Sequence, residues 1–178
     1  MQVYITDNID FIKRSEYFDP NSTVIIVAKS GITMPKYNKD IGEALDLRAD
    51  KEVKAMLSTE IQVPLGVKWY APMGVFLLII PRSSSHKKYN IRLANTVGLI
   101  DSSYRNEIIA LIEPHDISYP VTINRGDRIV QGLILQTATV DSNPIKELYI
   151  VRNNDVFEHW EEIMASKRKG GIGWTGIK

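Results

Sequence analysis

Short apolar runs, rich in β-branched residues and separated by Gly, Pro, Asn and Asp, dominate the chain. Val3 and Ile5 alternate with polar neighbours and predict an opening strand. Thr23-Val24-Ile25-Ile26-Val27 follows a Pro-Asn-Ser turn and reads as a second. Ile61 to Trp69, Gly74 to Ile80, Glu107 to Ile112, Val121 to Asn124, Arg128 to Val140 and Glu147 to Val151 read the same way. Turn chemistry stands between them at Pro72-Met73-Gly74, Asn124-Arg125-Gly126-Asp127 and Asp141-Ser142-Asn143-Pro144. Two stretches predict helices. Gly42 to Ser58 does so on an irregular pattern of Leu45, Leu47, Val53, Met56 and Leu57. Asp155 to Lys169 does so on a regular one, with Val156, Phe157, Trp160, Ile163 and Met164 on one face. Asn153, Asn154 or Asp155 can cap that helix, and Lys167-Arg168-Lys169 complements its dipole. Many short strands at this spacing predict an all-β sandwich, jelly roll or small barrel.

Composition narrows the function classes. The 178 residues suit one domain with a proper core, and 44% are apolar. Net charge is +1, so no overall field draws the chain to nucleic acid or a membrane. The absence of cysteine excludes disulfide scaffolds, zinc-thiolate sites and thiol nucleophiles. The apolar run Val75 to Ile80 is far too short to span a bilayer, and MQVYITDNID has no signal-peptide pattern. A cytoplasmic location is expected, in the host cell if the source is viral.

Several stretches carry candidate chemistry. Gly171-Ile172-Gly173-Trp174-Thr175-Gly176 matches the letters of the G-x-G-x-x-G dinucleotide fingerprint. That fingerprint needs a strand before it, a helix opening on it and an acid about twenty residues later, and none of these is present here. Pro81-Arg82-Ser83-Ser84-Ser85 follows a buried strand and combines a guanidinium with hydroxyls, which suits phosphate as well as an ordinary polar turn. Asn95 to Arg105 delivers Asp101 at the end of an apolar run, with Tyr104 just beyond. Asp101 there is either a general base or a turn-capping residue, and Tyr104 either a ligand contact or a core residue. Asp127 and Arg128 hold a turn or an ion pair, and Gln131 can present an amide to an anion. His86, His115 and His159 are far apart in sequence and show no metal-ligand spacing.

In this order, Ala44 to Ala49, Pro81 to Ser84, Asn95 to Glu107, Gly126 to Gln131 and Gly170 to Gly176 resemble the five motifs of the homotrimeric dUTPases. Leu99-Ile100-Asp101-Ser102-Ser103-Tyr104-Arg105 is the most specific piece. The resemblance implies an all-β jelly-roll (β-clip) subunit with one short helix in its C-terminal half and a flexible C-terminal arm. Residues 1–166 would form the domain and 167–178 the arm. Hydrolysis of dUTP to dUMP and pyrophosphate is implied, with Asp101 activating the water and Tyr104 stacking under the deoxyribose. Asn95, Gly98 and the hairpin backbone would read uracil, while Arg82, Ser83, Ser84 and Gln131 would hold the triphosphate. Lys167, Arg168 or Lys169 would meet the γ-phosphate, with Gly171, Ile172, Trp174 and Thr175 closing over the nucleotide. Asp46 would support the site. Mg²⁺ would be held mainly by the phosphates and water, with no direct protein ligand. The expected partners are dUTP and two further copies of the chain, with no nucleic acid or membrane.

Three departures from the family pattern are evident. Residues 1–43 carry an apparent insertion, the stretch 136–166 is longer than usual, and Ile172 stands where an aromatic is usual. The insertions could serve a protein partner. Two alternatives follow: a dUTPase-like regulatory protein that binds nucleotide, and a dCTP deaminase using Glu107 as its acid–base residue.

Overall fold

Alternation of buried and exposed side chains decides the architecture. The computed structural model describes residues 2–7, 19–33, 44–55, 60–138 and 144–164. In chain order the strands begin with β1 (Gln2–Thr6), β2 (Thr23–Ala28), β3 (Leu45–Arg48), β4 (Val53–Ala55), β5 (Ile61–Pro64) and β6 (Val67–Tyr70). Then come β7 (Val75–Pro81), helix α1 (Ser85–Tyr89), β8 (Ile91–Leu93), β9 (Gly98–Ile100), β10 (Ile109–Pro114) and β11 (Val121–Ile123). The series closes with β12 (Arg128–Gln136), β13 (Glu147–Arg152), α2 (Asn154–Glu158) and α3 (Trp160–Met164). Four sheets result, ordered β1-β13-β2-β6, β5-β10-β8, β11-β4 and β3-β12-β7-β9. One core joins them, built from the inward rows of every sheet and including Leu45, Leu47, Val63, Trp69, Leu77, Ile79, Ile112 and Ile150. No helix among the described residues is long and apolar enough to cross a membrane.

The helix expected over Gly42 to Ser58 is not formed. Leu45 and Leu47 are buried while Asp46 and Arg48 face the other way, a period of two that makes β3 an outer strand beside β12. Val53 begins β4 after a turn; Gly42, Glu43 and Met56 to Ser58 lie outside the described residues. The single strand expected from Ile61 to Trp69 divides into β5 and β6 at Gly66. Its φ of +63° and a Cβ position only 2.9 Å from Ile32 leave room for glycine alone. The expected C-terminal helix breaks at His159 into α2 and α3, and residues 165–169 lie outside the described residues. Asn153 caps α2 as its side chain accepts the Val156 N–H at 3.1 Å.

The two apparent insertions meet in space. Strand β13 pairs in parallel with β1 on one side and with β2 on the other. Every residue of β2 is buried because its second face is covered by Val156, Phe157 and Trp160 of α2 and α3. Parallel strands covered on both faces read as continuous apolar runs, which is the pattern of Thr23 to Val27.

Candidate functional site

The candidate residues gather near the two ends of strand β7. It is a central strand, with β12 on one side and β9 on the other, and Val75, Leu77 and Ile79 anchor it in the core. Past Pro81 the chain turns outward and presents Arg82, Ser83 and Ser84. Arg82 Nε donates to Asp46 Oδ1 at 2.6 Å, and Arg128 Nη1 donates to Asp46 Oδ2 at 2.9 Å. One carboxylate therefore holds two guanidinium groups side by side. Arg82 Nη1 also donates to the Arg128 carbonyl at 3.2 Å. Register explains the meeting: Asp46 on β3 lies opposite Gln131 on β12, and Gln131 lies opposite Ile80 on β7. Gln131 Nε2 donates to the Pro81 carbonyl at 3.2 Å. Ser83 and Ser84 are exposed, whereas Ser85 is buried and donates to the Ile129 carbonyl at 2.7 Å, fixing the turn from beneath. Such a cluster of arginines and hydroxyls at a strand end is suited to a polyphosphate.

Strand β9 returns alongside β7, with Gly98 opposite Ile79 and Ile100 opposite Leu77. A Cβ on Gly98 would sit 3.2 Å from the Ile79 Cβ, so a larger residue would push the hairpin away. The hairpin tip is tight: Thr96 has φ +64° and the Val97 N–H reaches the Asn95 carbonyl at 2.6 Å. Asp101 follows β9 at the opposite end of β7 from Arg82. Its carbonyl accepts both the Trp69 indole N–H and the Tyr104 N–H, each at 3.0 Å. Tyr104 donates its hydroxyl to the Glu107 carbonyl at 3.1 Å. Arg105 is buried beneath the turn and donates to the carbonyls of Ser102 at 2.6 Å and Tyr104 at 3.1 Å. Its guanidinium carbon lies 4.9 Å from the centre of the Tyr70 ring. Burial holds the Arg105 guanidinium below its ordinary range and pushes the Tyr70 phenol up.

Asp46, Arg82, Ser83, Ser84 and Gln131 thus share one end of β7, with Asn95 and Gly98 on the neighbouring hairpin. Asp101 and Tyr104 do not join them. Asp101 falls beyond Ile100, so it is offset from Arg82 by about six residues of strand, or roughly 20 Å. Lys167, Arg168, Gly171, Ile172, Trp174 and Thr175 lie outside the described residues. Trp69, Arg105 and Trp160, to which the sequence pattern assigns no site role, support the turn. Arg105 offered one signal, as the lone lysine or arginine between Arg92 and Arg125. Asp127 has the turn role read for it, accepting the Asn124 N–H at 2.9 Å and the Tyr89 hydroxyl at 3.0 Å. His86 and His115, distant in sequence, bring their rings edge to face with centres 5.7 Å apart.

Comparison with known proteins bears directly on this arrangement. The family model described as dUTPase matches residues 28–156. A deoxyuridine 5'-triphosphate nucleotidohydrolase from Anaeromyxobacter sp. is 36% identical over 146 residues, covering 82% of this chain and 88% of the relative. The enzyme of the same name from Finegoldia magna is 33% identical over 156 residues, covering 86% of this chain and 98% of its own. Among solved structures, the dUTPase of Streptococcus mutans superposes with a TM-score of 0.58 at 27% identity, over 65% of this chain and 98% of that one. A variant dUTPase from phage phi11 of S. aureus, described as coordinating a structural Mg(II) ion, shares the fold with a TM-score of 0.58 at 18% identity. That match covers 70% of this chain and 97% of the phage protein. With a family match spanning most of the chain and relatives above 30% identity along nearly their whole length, this chain belongs to the dUTPase family.

Proposed function

We propose that the chain hydrolyses dUTP to dUMP and pyrophosphate at sites shared between subunits of a homotrimer. The observation that carries the shared site is the separation of Arg82 from Asp101 along β7, too great for one triphosphate to meet both in a single chain. Between the two ends lies an uncovered apolar face. Phe76, Leu78 and Ile80 of β7, Leu133 and Leu135 of β12 and Leu99 of β9 share it by register, and Leu99 is 59% exposed. A contiguous apolar face of this kind on a sheet supports self-association.

In this reading Asp101 removes a proton from water, and the resulting oxygen attacks the α-phosphorus. The bond from the α-phosphorus to the bridging oxygen breaks, and pyrophosphate departs carrying the charge. Arg82 and Ser83 stabilise that developing charge, and Gln131 and Ser84 hold the remaining phosphate oxygens. Tyr104 packs under the deoxyribose. Asn95 and the hairpin backbone read the uracil edge, where the amino group of cytosine would leave a donor unpaired. Asp46 orients Arg82. Lys167, Arg168 or Lys169 neutralises the γ-phosphate, with Gly171 to Thr175 closing over the nucleotide.

Magnesium suits this donor set as a companion of the substrate. Both Asp46 oxygens are committed to arginines, and the described residues contain no cluster of three carboxylates or histidines that could cage an ion. When bound through the phosphates, the ion neutralises their charge. The deaminase reading is not favoured, because the Glu107 carboxylate accepts the Gly66 N–H at 2.9 Å and braces a turn.

The test is turnover of the purified protein with Mg²⁺. Pyrophosphate is expected from dUTP, with dCTP and UTP untouched and with native mass three times that of the 20.2 kDa chain. Ammonia from dCTP would instead make it a deaminase. Wild-type turnover as slow as that of Asp101→Asn, with dUTP still bound, would make it a nucleotide-binding regulator.

A further inference from the structure

The helices α2 and α3 belong to the longer stretch that departs from the family pattern, yet they reach the turn that carries Asp101. The path is short and buried. Trp160 of α3 is fully buried, and its indole N–H donates to the Trp69 carbonyl at 3.0 Å. Trp69, also fully buried, sends its own indole N–H to the Asp101 carbonyl at 3.0 Å. The same Trp69 carbonyl receives Arg105 Nη1 at 3.4 Å, and that nitrogen also holds the Ser102 carbonyl. Trp69 thus joins the helices to the turn, by its carbonyl on one side and its indole on the other.

The helices are themselves clamped to the strand that carries Trp69. Lys68 Nζ donates to the Phe157 carbonyl at 2.7 Å and lies 4.6 Å from the centre of the Phe157 ring. The Ser30 N–H reaches Asn154 Oδ1 at 3.1 Å, and Asn153 Nδ2 donates to the Asp7 carbonyl at 2.8 Å. The segment is therefore fixed to β6, to the β2 end and to the β1 end together.

We infer that Trp160 is a positioning residue for the reaction: through Trp69 it sets the height of the Asp101 backbone, and so the aim of its carboxylate at the attacking water. This rests on the reading of Asp101 as the base. The Asp101 carbonyl, held by the buried Trp69 indole and by the Tyr104 N–H, has little freedom, and small displacements of a reacting group are amplified in rate. Removing the Trp160 N–H leaves the Trp69 carbonyl with only the longer Arg105 contact, and a buried acceptor then draws its neighbours toward it.

Trp160→Phe keeps a large aromatic ring and deletes the donor. Its kcat is expected to fall about tenfold with KM within about twofold of wild type, since the turn and not the phosphate cluster is disturbed. Phe157→Leu removes buried packing from the same helical segment without touching the relay. It is expected to lower the melting temperature at least as much as Trp160→Phe while keeping wild-type kcat. Trp69→Phe breaks the second link, and the Trp69→Phe/Trp160→Phe double variant is expected to be no slower than Trp69→Phe alone. If Trp160→Phe does not fold, Trp69→Phe carries the same expectation for kcat and KM. Wild-type kcat in Trp160→Phe would overturn the inference, as would equal loss of kcat in Phe157→Leu. An active Asp101→Asn would instead overturn the base reading beneath it, so the two failures are distinguishable.

Discussion

The two ends of β7 are built on opposite principles. At the Arg82 end, side chains hold side chains: one partly exposed carboxylate, Asp46, grips Arg82 and Arg128. At the Asp101 end, buried donors hold backbone carbonyls: Trp69 holds Asp101, and Arg105 holds Ser102 and Tyr104. The first arrangement keeps positive charge available to an incoming anion and can adjust as it binds. The second leaves the proposed base, Asp101, to be aimed by a main chain held at its carbonyls. Under the proposed function one region receives a flexible triphosphate and the other places a single oxygen, and the two kinds of packing suit those needs.

The sharpest way to break that comparison is at the rigid end. Asp101→Asn should reduce kcat by about 10²–10⁴-fold with little change in KM, measured by pyrophosphate release. At the adjustable end, Arg82→Ala should lower kcat/KM by about 10²-fold. Its combination with Asp101→Asn is more telling than either alone. Subunits of the two variants, unfolded and reassembled together in equal amounts, should recover about a quarter of wild-type activity, because one site in four pairs an intact Arg82 with an intact Asp101. No recovery would place both residues in one chain's site.

A smaller effect is expected from Asp46→Asn, which leaves both arginines in place but loosens them. KM should rise about tenfold, and stability should change by no more than about 1 kcal/mol in urea unfolding, as fits a partly exposed ion pair. The smallest effect concerns Tyr70, beside the rigid turn. Its phenol is raised above the ordinary value by burial, so the folded state favours the neutral form. The unfolded chain releases that proton first, and stability should therefore fall as pH rises above about 10. Tyr70→Phe should flatten this alkaline slope in melting experiments, with the profile at neutral pH unchanged in shape.

Much of this was legible along the chain. Alternating or continuous apolar runs between turn residues located β1, β2, β7, β11 and β13, and the ordered motifs named Asp46, Arg82, Asp101, Tyr104 and Gln131 as candidates. Local pattern alone is not enough everywhere. It misled where three-dimensional context overrides local pattern. Leu45 and Leu47 fit a loose helical reading until β12 is placed beside them, and Gly66 cuts a continuous apolar run in two. The helix after Asn153 carried its capping residue in plain view, but nothing local marks the break at His159.

The sequence by itself therefore determined the strand-rich class and the family, since these rest on residue type, spacing and order. The tertiary structure alone decided three things. It set Arg82 and Asp101 at opposite ends of one strand, because β7 and β9 pair in a register that no motif encodes. It joined the two apparent insertions into one layer, because β13 lies between β1 and β2. It also seated Trp160 on Trp69, 91 positions away, because a buried indole N–H must find an acceptor wherever the fold provides one.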